Sequence, residues 1–357
     1  GDSGAPDAAT DAGPADGGPA PCVPGEPCGP AEINFAFVTS STHVIGELGA
    51  GELSGVEAAD EICNMRAAEA GLTGTYVAWL SSSTSDAIDR LGTASGWVRV
   101  DGKPFAKSVE DLTMGRLLHP LEVDESGARV ALAVGSSRVV ATATGRTGTL
   151  FGGESCSDFT STTGSLSGGR FDSSRRDWTR GFLPSCDAES RLYCLGTDHD
   201  SPYTVEPVEG RIAFVSSSPW SAGSGRAAAD TLCASEAAAA GLSGSFGALV
   251  ATSAASAISF IGESGMPWVR VDGVLLTDSP AALAMGERLA TPIVLHADGS
   301  VSSANIAWTG ATAPDVTGTR TCADWSTTDE ESRGVNGRID EPEQWFGSSP
   351  VRCSFDA

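Results

Sequence analysis

The hexapeptide Trp-Val-Arg-Val-Asp-Gly occurs twice in this chain, at residues 97–102 and again at residues 268–273. Trp and Val favour extended structure, and Asp-Gly favours a hairpin turn because Gly adopts positive φ without steric cost. Each occurrence therefore predicts a strand that runs into a tight turn. Matching segments flank both occurrences, which indicates an internal duplication and two homologous domains.

The length of 357 residues suits two domains of roughly 150 residues each. We predict a first domain at 33–195, a linker at 196–210 and a second domain at 211–357 that lacks its last strand. Residues 1–32 are rich in Pro, Gly, Ala and Asp. Such a segment buries too little apolar surface to offset the entropy of ordering, so we predict a disordered tether.

The formal net charge of -24 argues against nucleic acid and anionic membranes as partners, since both require a positive surface. No apolar run approaches the roughly 18 residues that span a bilayer. Widely spaced cysteines are typical of proteins from oxidising compartments. We therefore expect a secreted or surface-tethered protein, and a lipid anchor on a residue before Gly1 is a further hypothesis.

Six of the nine cysteines form three matched pairs between the two copies, and one of these pairs is Cys186 and Cys353. Cys63 corresponds to Cys233, and Cys156 corresponds to Cys322. The second copy ends before a counterpart of Arg191-Leu-Tyr-Cys194, the segment that closes the first copy. The disulfides predicted from this order are Cys22–Cys28, Cys63–Cys194, Cys156–Cys186 and Cys322–Cys353. Cys233 is left unpaired, which explains the odd number.

The missing closing segment predicts an exposed sheet edge in the second domain. Proteolytic processing or a chain boundary is the simple explanation of the missing segment. The alternative is that another chain supplies a strand there, as a structural subunit of an extracellular assembly or through self-association.

Residues that could perform catalysis do not form a shared pattern. The four histidines, His43, His119, His199 and His296, have no aligned counterpart in the other copy. A nucleophile elbow and a phosphate-binding loop are both missing. We therefore expect neither an enzyme nor an organic cofactor.

Two groups of side chains are candidates for binding. A local cluster of arginines could receive an anionic glycan or a partner's carboxylates: Arg170, Arg175, Arg176 and Arg180. Arg–Asp pairs that stabilise the loops are the alternative. Trp220, in a Ser-rich turn, is the candidate for an exposed aromatic side chain. The other tryptophans considered are expected in the core: Trp97, Trp268, Trp308, Trp325 and Trp345.

Acidic side chains crowd the late loops of the second copy: Asp324, Asp329, Glu330, Glu331, Asp340, Glu341 and Glu343. Oxygen ligands of this kind suit calcium. The tentative calcium ligands are Asp329, Glu330, Asp340, Glu341 and Glu343. Their spacing matches no known calcium loop, so solvated loop acids are the alternative.

Short motifs recur in the same order in both copies. The second copy has Trp308-Thr309-Gly310 and Cys322-Ala-Asp-Trp325, and we align these with Ala143-Thr144-Gly145 and Cys156-Ser-Asp-Phe159 of the first. With the closing Leu-Tyr-Cys, this order resembles a domain of unknown function from secreted and outer-membrane proteins of leptospires and myxobacteria. That domain is related to the C-type lectin-like and endostatin folds.

The resemblance implies an α+β fold, with two helices on small antiparallel sheets and long disulfide-braced loops. It also implies binding or adhesion. Trp178 is followed by Thr-Arg, whereas sugar-binding C-type lectins have Trp-Asn-Asp, so calcium-dependent sugar binding is not implied. The leading hypothesis is a binding or adhesion protein that recognises an extracellular glycan or protein through its late loops.

Overall fold

The computed structural model describes residues 33–53, 55–130, 138–262 and 265–355. The predicted tether, with its Cys22–Cys28 disulfide, lies outside these residues. The chain has an α+β fold with small sheets and few helices. We call residues 33–196 the first copy and residues 211–355 the second copy.

The first copy contains nine strands among its described residues: β1 (Asn34–Val38), β2 (His43–Val44), β3 (Tyr76–Ala78), β4 (Trp97–Arg99), β5 (Pro104–Ala106), β6 (Val139–Ala141), β7 (Gly168–Arg170), β8 (Glu189–Ser190) and β9 (Tyr193–Gly196). Its helical segments are α1 (Gly55–Glu69), α2 (Ala87–Arg90), α3 (Val109–Met114) and α4 (Cys156–Phe159), with 3-10 turns at Ile45–Ala50 and Arg176–Trp178.

The second copy repeats this order with fewer strands among its described residues: β10 (Arg211–Ala213), β11 (Trp268–Arg270), β12 (Leu275–Thr277), β13 (Ile306–Trp308), β14 (Arg333–Arg338) and β15 (Ser349–Arg352). Its helical segments are α5 (Arg226–Ala239), α6 (Ile258–Ile261), α7 (Pro280–Ala284) and α8 (Cys322–Trp325), with a 3-10 turn at Ala222–Ser224.

The repeated hexapeptide forms the predicted hairpin in both copies. Strand β4 pairs with β5 in antiparallel fashion, and β11 pairs with β12 in the same way. Within each hexapeptide the arginine donates to the aspartate two residues later: Arg99 to Asp101, and Arg270 to Asp272. This fork holds the turn because a bidentate Arg–carboxylate pair is directional. The hairpin prediction is therefore confirmed.

The main sheets of the two copies differ at one edge. The first copy has the strand order β3-β9-β1-β4-β5, in which β1 runs parallel to β4 and antiparallel to β9. The second copy has only β10-β11-β12, which correspond to β1-β4-β5. Strand β10 is thus an edge strand, as the missing closing segment predicted.

Three predicted disulfides are formed, and they fix the irregular part of each copy: Cys63–Cys194, Cys156–Cys186 and Cys322–Cys353. The first ties α1 to β9, and the other two brace the late loops. In the chain-entropy model, a bridge that closes a loop of this kind contributes about 3–4 kcal/mol. Disulfides are typical of extracellular proteins.

The segments α4 and α8 are single turns of left-handed helix. Four successive non-glycine residues have φ between 51° and 66° in α8, and α4 repeats this geometry. Such a conformation costs about 1–2 kcal/mol per residue because Cβ crowds the following carbonyl oxygen. In α8 the cost is offset by the disulfide of Cys322 and by Asp324, whose carboxylate accepts from the Ser253 backbone N–H at 2.6 Å.

One sequence alignment between the copies is wrong by two residues. Thr309 and Gly310 both donate their backbone N–H to Val335, and Thr142 and Ala143 both donate to Ser167. The counterpart of Trp308-Thr309-Gly310 is therefore residues 141–143, not residues 143–145. Sequence alone missed this because the first copy has alanine at the tryptophan position.

No helix among the described residues combines the length and the apolarity that a membrane crossing requires.

Candidate functional site

The first copy shows how the closing strand is held. Strand β9 lies between β1 and β3, and Cys194 pairs with Phe37 across the ladder. Tyr193, Cys194 and Leu195 are each at most 1% exposed. The Tyr193 hydroxyl donates to the Trp178 carbonyl at 2.9 Å, and the two rings lie 5.3 Å apart. This strand therefore contributes side chains to both faces of the core.

The walls of this strand position are preserved in the second copy, although the strand is not there. Phe214 is the counterpart of Phe37, and its ring lies 5.6 Å from that of Phe246. The corresponding distance in the first copy, between Phe37 and Tyr76, is 5.4 Å. The second copy thus holds the same two aromatic walls at the same separation.

A hydrogen bond from the helix fixes the far wall in both copies. The Asp60 carboxylate of α1 accepts from the Ala78 backbone N–H at 2.8 Å. In the second copy the Asp230 carboxylate of α5 accepts from the Ala248 backbone N–H at 2.9 Å. The segment around Ala248 is therefore held in the place of β3, although it forms no strand.

A cleft of ≈ 1240 Å³, which we call the strand cleft, lies between β10 with its continuation and the segment around Ala248. Its lining includes Phe214, Cys233, Phe246, Trp308 and Trp345. Residues 212–214 of β10 and its continuation are only partly buried, whereas the corresponding residues 35–37 of β1 are at most 6% exposed. Apolar strand residues with one open edge are typical of surfaces that receive another strand.

Two indole N–H groups beside the cleft lack acceptors. The Nε1 atoms of Trp220 and Trp308 are buried and have no hydrogen-bond partner among the described residues. The side chains are 8% and 5% exposed, and both residues line the strand cleft. A buried donor without an acceptor costs about 1–3 kcal/mol, so both groups favour an occupant that offers carbonyl or hydroxyl oxygens.

Cys233 is the free thiol of the described residues, and it lines the strand cleft. It lies three residues after Asp230, as Cys63 lies three residues after Asp60. Burial raises the pKa of the Cys233 thiol to about 11, and the carboxylates of Glu236 and Asp230 raise it as well. The thiol is therefore protonated at neutral pH.

The arginine cluster is not an open anion site. Arg170 is 8% exposed, and it pairs with Asp172 at 2.8 Å and with Glu341 of the second copy at 3.1 Å. These carboxylates raise the pKa of Arg170, although burial opposes the rise. Arg175 donates to the Asn305 side chain of the second copy at 3.2 Å.

The other two arginines stay within the first copy. Arg176 donates to the Met114 carbonyl at 3.2 Å, and the Arg180 guanidinium lies 3.5 Å from the centroid of the Phe151 ring. The four arginines thus divide between the contact with the second copy and local support of the loops.

The tentative calcium ligands are not brought together. Asp340 pairs with Arg338 at 3.1 Å, and Glu343 lies 3.3 Å from Arg138 of the first copy. Asp329 accepts from the Glu331 backbone N–H at 2.9 Å, and Glu330 is exposed. Among residues 33–53, 55–130, 138–262 and 265–355, no three His, Cys, Asp or Glu side chains converge as metal ligands would.

The exposure predicted for Trp220 is wrong. Its ring packs 5.2 Å from that of Trp325 in the core of the second copy. The Ser-rich turn suggested a surface position, but the aromatic cluster beside the strand cleft buries this side chain. The core positions predicted for the other five tryptophans are confirmed: Trp97, Trp268, Trp308, Trp325 and Trp345.

Sequence reasoning predicted the open edge and the unpaired Cys233, but it missed the walls of the cleft. Phe214 and Phe246 are the residues that were overlooked. The alignment of the copies contained the signal, because Phe214 aligns with Phe37, a residue that contacts the closing strand in the first copy.

No family model matches the chain, and the comparison with curated proteins finds no match.

Proposed function

We propose that this chain is an extracellular binding protein built from two lectin-like units, the second of which binds an extended peptide as a β-strand in the strand cleft. The observation that carries the proposal is the cleft of ≈ 1240 Å³ beside β10, at the position that β9 occupies in the first copy. Strand addition of this kind combines main-chain hydrogen bonds with pockets for alternate side chains.

The same geometry favours this proposal over recognition through the late loops. Arg170 and Glu341 of those loops bind each other across the two copies at 3.1 Å, so neither is free for a glycan. The strand cleft, in contrast, has apolar walls and two indole donors without acceptors. Its chemistry suits an extended peptide better than a charged sugar.

The first copy indicates which peptide would fit. Tyr193 packs against Trp178, and the corresponding Trp345 lines the strand cleft. Leu195 is fully buried on the same side of β9 as Tyr193, because side chains alternate along a strand. The bound strand should therefore have large apolar residues at alternate positions, one of them aromatic.

A peptide titration tests the proposal. The probe is residues 190–196 as a fluorescent synthetic peptide with Cys194→Ser, added to the 357-residue chain and followed by anisotropy. We expect saturable binding. In Phe214→Asp, a carboxylate replaces one wall of the cleft, so affinity should fall at least about tenfold, equivalent to about 1.4 kcal/mol.

Leu183→Asp is the matched control, because Leu183 is 60% exposed and lies in the first copy. Its affinity for the peptide should equal that of the unmodified chain. Binding that is equally strong in Phe214→Asp, or an absence of binding to the unmodified chain, would contradict the proposal.

A further inference from the structure

His119 follows directly on a piece of backbone that joins the first copy to the second. The Leu118 carbonyl accepts from the Thr291 hydroxyl of the second copy at 2.7 Å and from the Arg270 guanidinium at 3.3 Å. The Leu117 carbonyl accepts from the same guanidinium at 3.2 Å. Thr291 and the His119 ring are both 0% exposed. We call the buried contact that these residues form the junction.

The neutral form of the His119 ring suits the closed junction. The Pro104 carbonyl lies 2.9 Å from Nδ1 and only accepts, so Nδ1 carries the proton of the neutral ring. Nε2 is buried and has no hydrogen-bond partner among the described residues. A proton on Nε2 adds a buried charge without an acceptor, which is strongly unfavourable. The ring therefore resists protonation for as long as the copies remain in contact.

Three cations act on this ring, and one of them belongs to the second copy. Arg99 and Lys103 come from β4 and the turn that follows it, and Arg270 comes from β11. Burial, and then these charges, hold the pKa of His119 well below its usual 6.5. The carboxylates of the junction pair with arginines instead of the ring: Asp101 with Arg99, Asp272 with Arg270, and Glu122 with Arg99 and Arg288.

We infer that protonation of His119 separates the two copies, so that the junction is an acid-sensitive contact. The imidazolium repels Arg270 of the second copy, and its Nε2–H finds no acceptor while the junction is closed. Separation removes Arg270 and lets water solvate Nε2–H. It also releases Arg170 from Glu341 of the second copy. This response is independent of the strand cleft, because neither His119 nor Thr291 lines the cleft.

The size of the response follows from the uptake of one proton. In the separated state His119 has its ordinary pKa near 6.5, whereas in the closed junction its pKa is well below that value. The separated state therefore binds more protons as pH falls below 6.5, and acid favours it. One such proton raises the equilibrium constant for separation by about 30-fold between pH 7.5 and pH 5.

Thiol trapping measures this equilibrium even when the separated state is rare. In the 357-residue chain, Thr291→Cys places a buried thiol at the junction, and Ala238→Cys adds an exposed reference thiol on α5. Digestion and mass spectrometry give the ratio of the two alkylation rates, which is proportional to the separation constant. We expect this ratio to rise about 30-fold from pH 7.5 to pH 5.

Two further variants assign the rise to one ring. With His119→Gln the ratio should change less than about threefold over the same range, because the titrating group is gone. His43→Gln is the matched control, since burial also lowers the pKa of His43 but its ring bonds to Ser41 within the first copy. With His43→Gln the ratio should rise as in the chain with both histidines.

A thiol in the core of the second copy distinguishes separation from unfolding. Ala257 is 0% exposed and packs within that core, so Ala257→Cys reacts only when the copy itself opens. At pH 5 it should react at least about tenfold more slowly than Thr291→Cys. Equal rates for these two thiols, a ratio that does not change with pH, or the same rise with His119→Gln would overturn the inference.

Discussion

Cys233 provides the most direct test at the scale of one residue. Its pKa of about 11, against an ordinary value of 9.0, lowers the thiolate fraction at neutral pH by about 100-fold. Iodoacetamide should therefore modify Cys233 about 100-fold more slowly at pH 7 than it modifies the exposed thiol of Cys233→Ala with Ala238→Cys. The alkylation rate of Cys233, measured by mass spectrometry, should rise with pH until about pH 11. A plateau of this rate below pH 9 would contradict the raised pKa.

The buried ring of His119 makes the free energy of unfolding depend on pH. The ring is fully buried: Nδ1 lies 2.9 Å from the Pro104 carbonyl, and Nε2 has no partner among the described residues. Burial, and then the charges of Arg99 and Lys103, hold the pKa of His119 well below its usual 6.5. The unfolded chain therefore binds more protons than the folded chain as pH falls below 6.5, and stability decreases.

We expect the free energy of unfolding to fall between pH 6.5 and pH 5 by up to about 1.4 kcal/mol per pH unit from His119. His119→Gln should flatten this part of the profile, measured by urea denaturation. His43→Gln is the comparison, since burial also lowers the pKa of His43 but less strongly. An unchanged slope in His119→Gln would show that the ring is protonated in the folded state.

The left-handed turns can be tested at the scale of an element. Ala323 has φ 52° in α8, where a side chain is strained, whereas Ala234 lies exposed within the right-handed helix α5. Ala323→Gly should raise the free energy of unfolding by roughly 0.5–1 kcal/mol. Ala234→Gly should lower it by about 1 kcal/mol. Thermal or urea unfolding that shows the same sign for both would refute the left-handed geometry.

Local signals in the sequence predicted some elements well. The hairpins follow from Asp-Gly after a β-branched run, and α5 follows from its alanine content. The left-handed turns could not be predicted, because non-glycine residues enter that conformation only when tertiary contacts hold them. For Ala323 those contacts are the Cys322–Cys353 disulfide and the bond from Ser253 to Asp324.

At the scale of the whole molecule, the two copies are joined by buried ion pairs. The Glu122 side chain of the first copy is 3% exposed; it pairs with Arg288 of the second copy and lies 3.5 Å from Arg99. The Arg270 guanidinium, in the second hexapeptide, donates to the Leu117 carbonyl at 3.2 Å. These contacts predict that the copies unfold together.

Removing the shared carboxylate should uncouple the copies. Glu122→Gln removes the carboxylate that pairs with Arg288, whereas Arg99 keeps its pair with Asp101. Breaking a buried ion pair by removing one partner costs about 3–5 kcal/mol. Calorimetry should show one transition for the unmodified chain and two for the variant. Glu110→Gln is the control, because its side chain is 66% exposed and should change little. Two transitions in the unmodified chain would contradict the coupling.

These contacts explain why the candidate site was only partly predictable. The sequence indicated an anion-receiving cluster at Arg170 and an acidic cluster at Glu341, but not that they bind each other, because 171 residues separate them. The unpaired Cys233 and the missing closing strand were predictable because the duplication provides an internal reference. The packing of the second copy against the first could not be predicted, because the duplication provides no reference for contacts between the copies.

Amide exchange tests the open strand position most directly. In the first copy the Thr39 N–H donates to the carbonyl of Leu192, the residue before β9, at 3.0 Å, and its counterpart Ser216 lines the strand cleft. We predict that the amides of Phe214 and Ser216 exchange rapidly while those of Phe37 and Thr39 are protected, and that adding the 190–196 peptide protects the first pair. Equal protection of both pairs in the chain alone, or no change on adding the peptide, would contradict the open strand position.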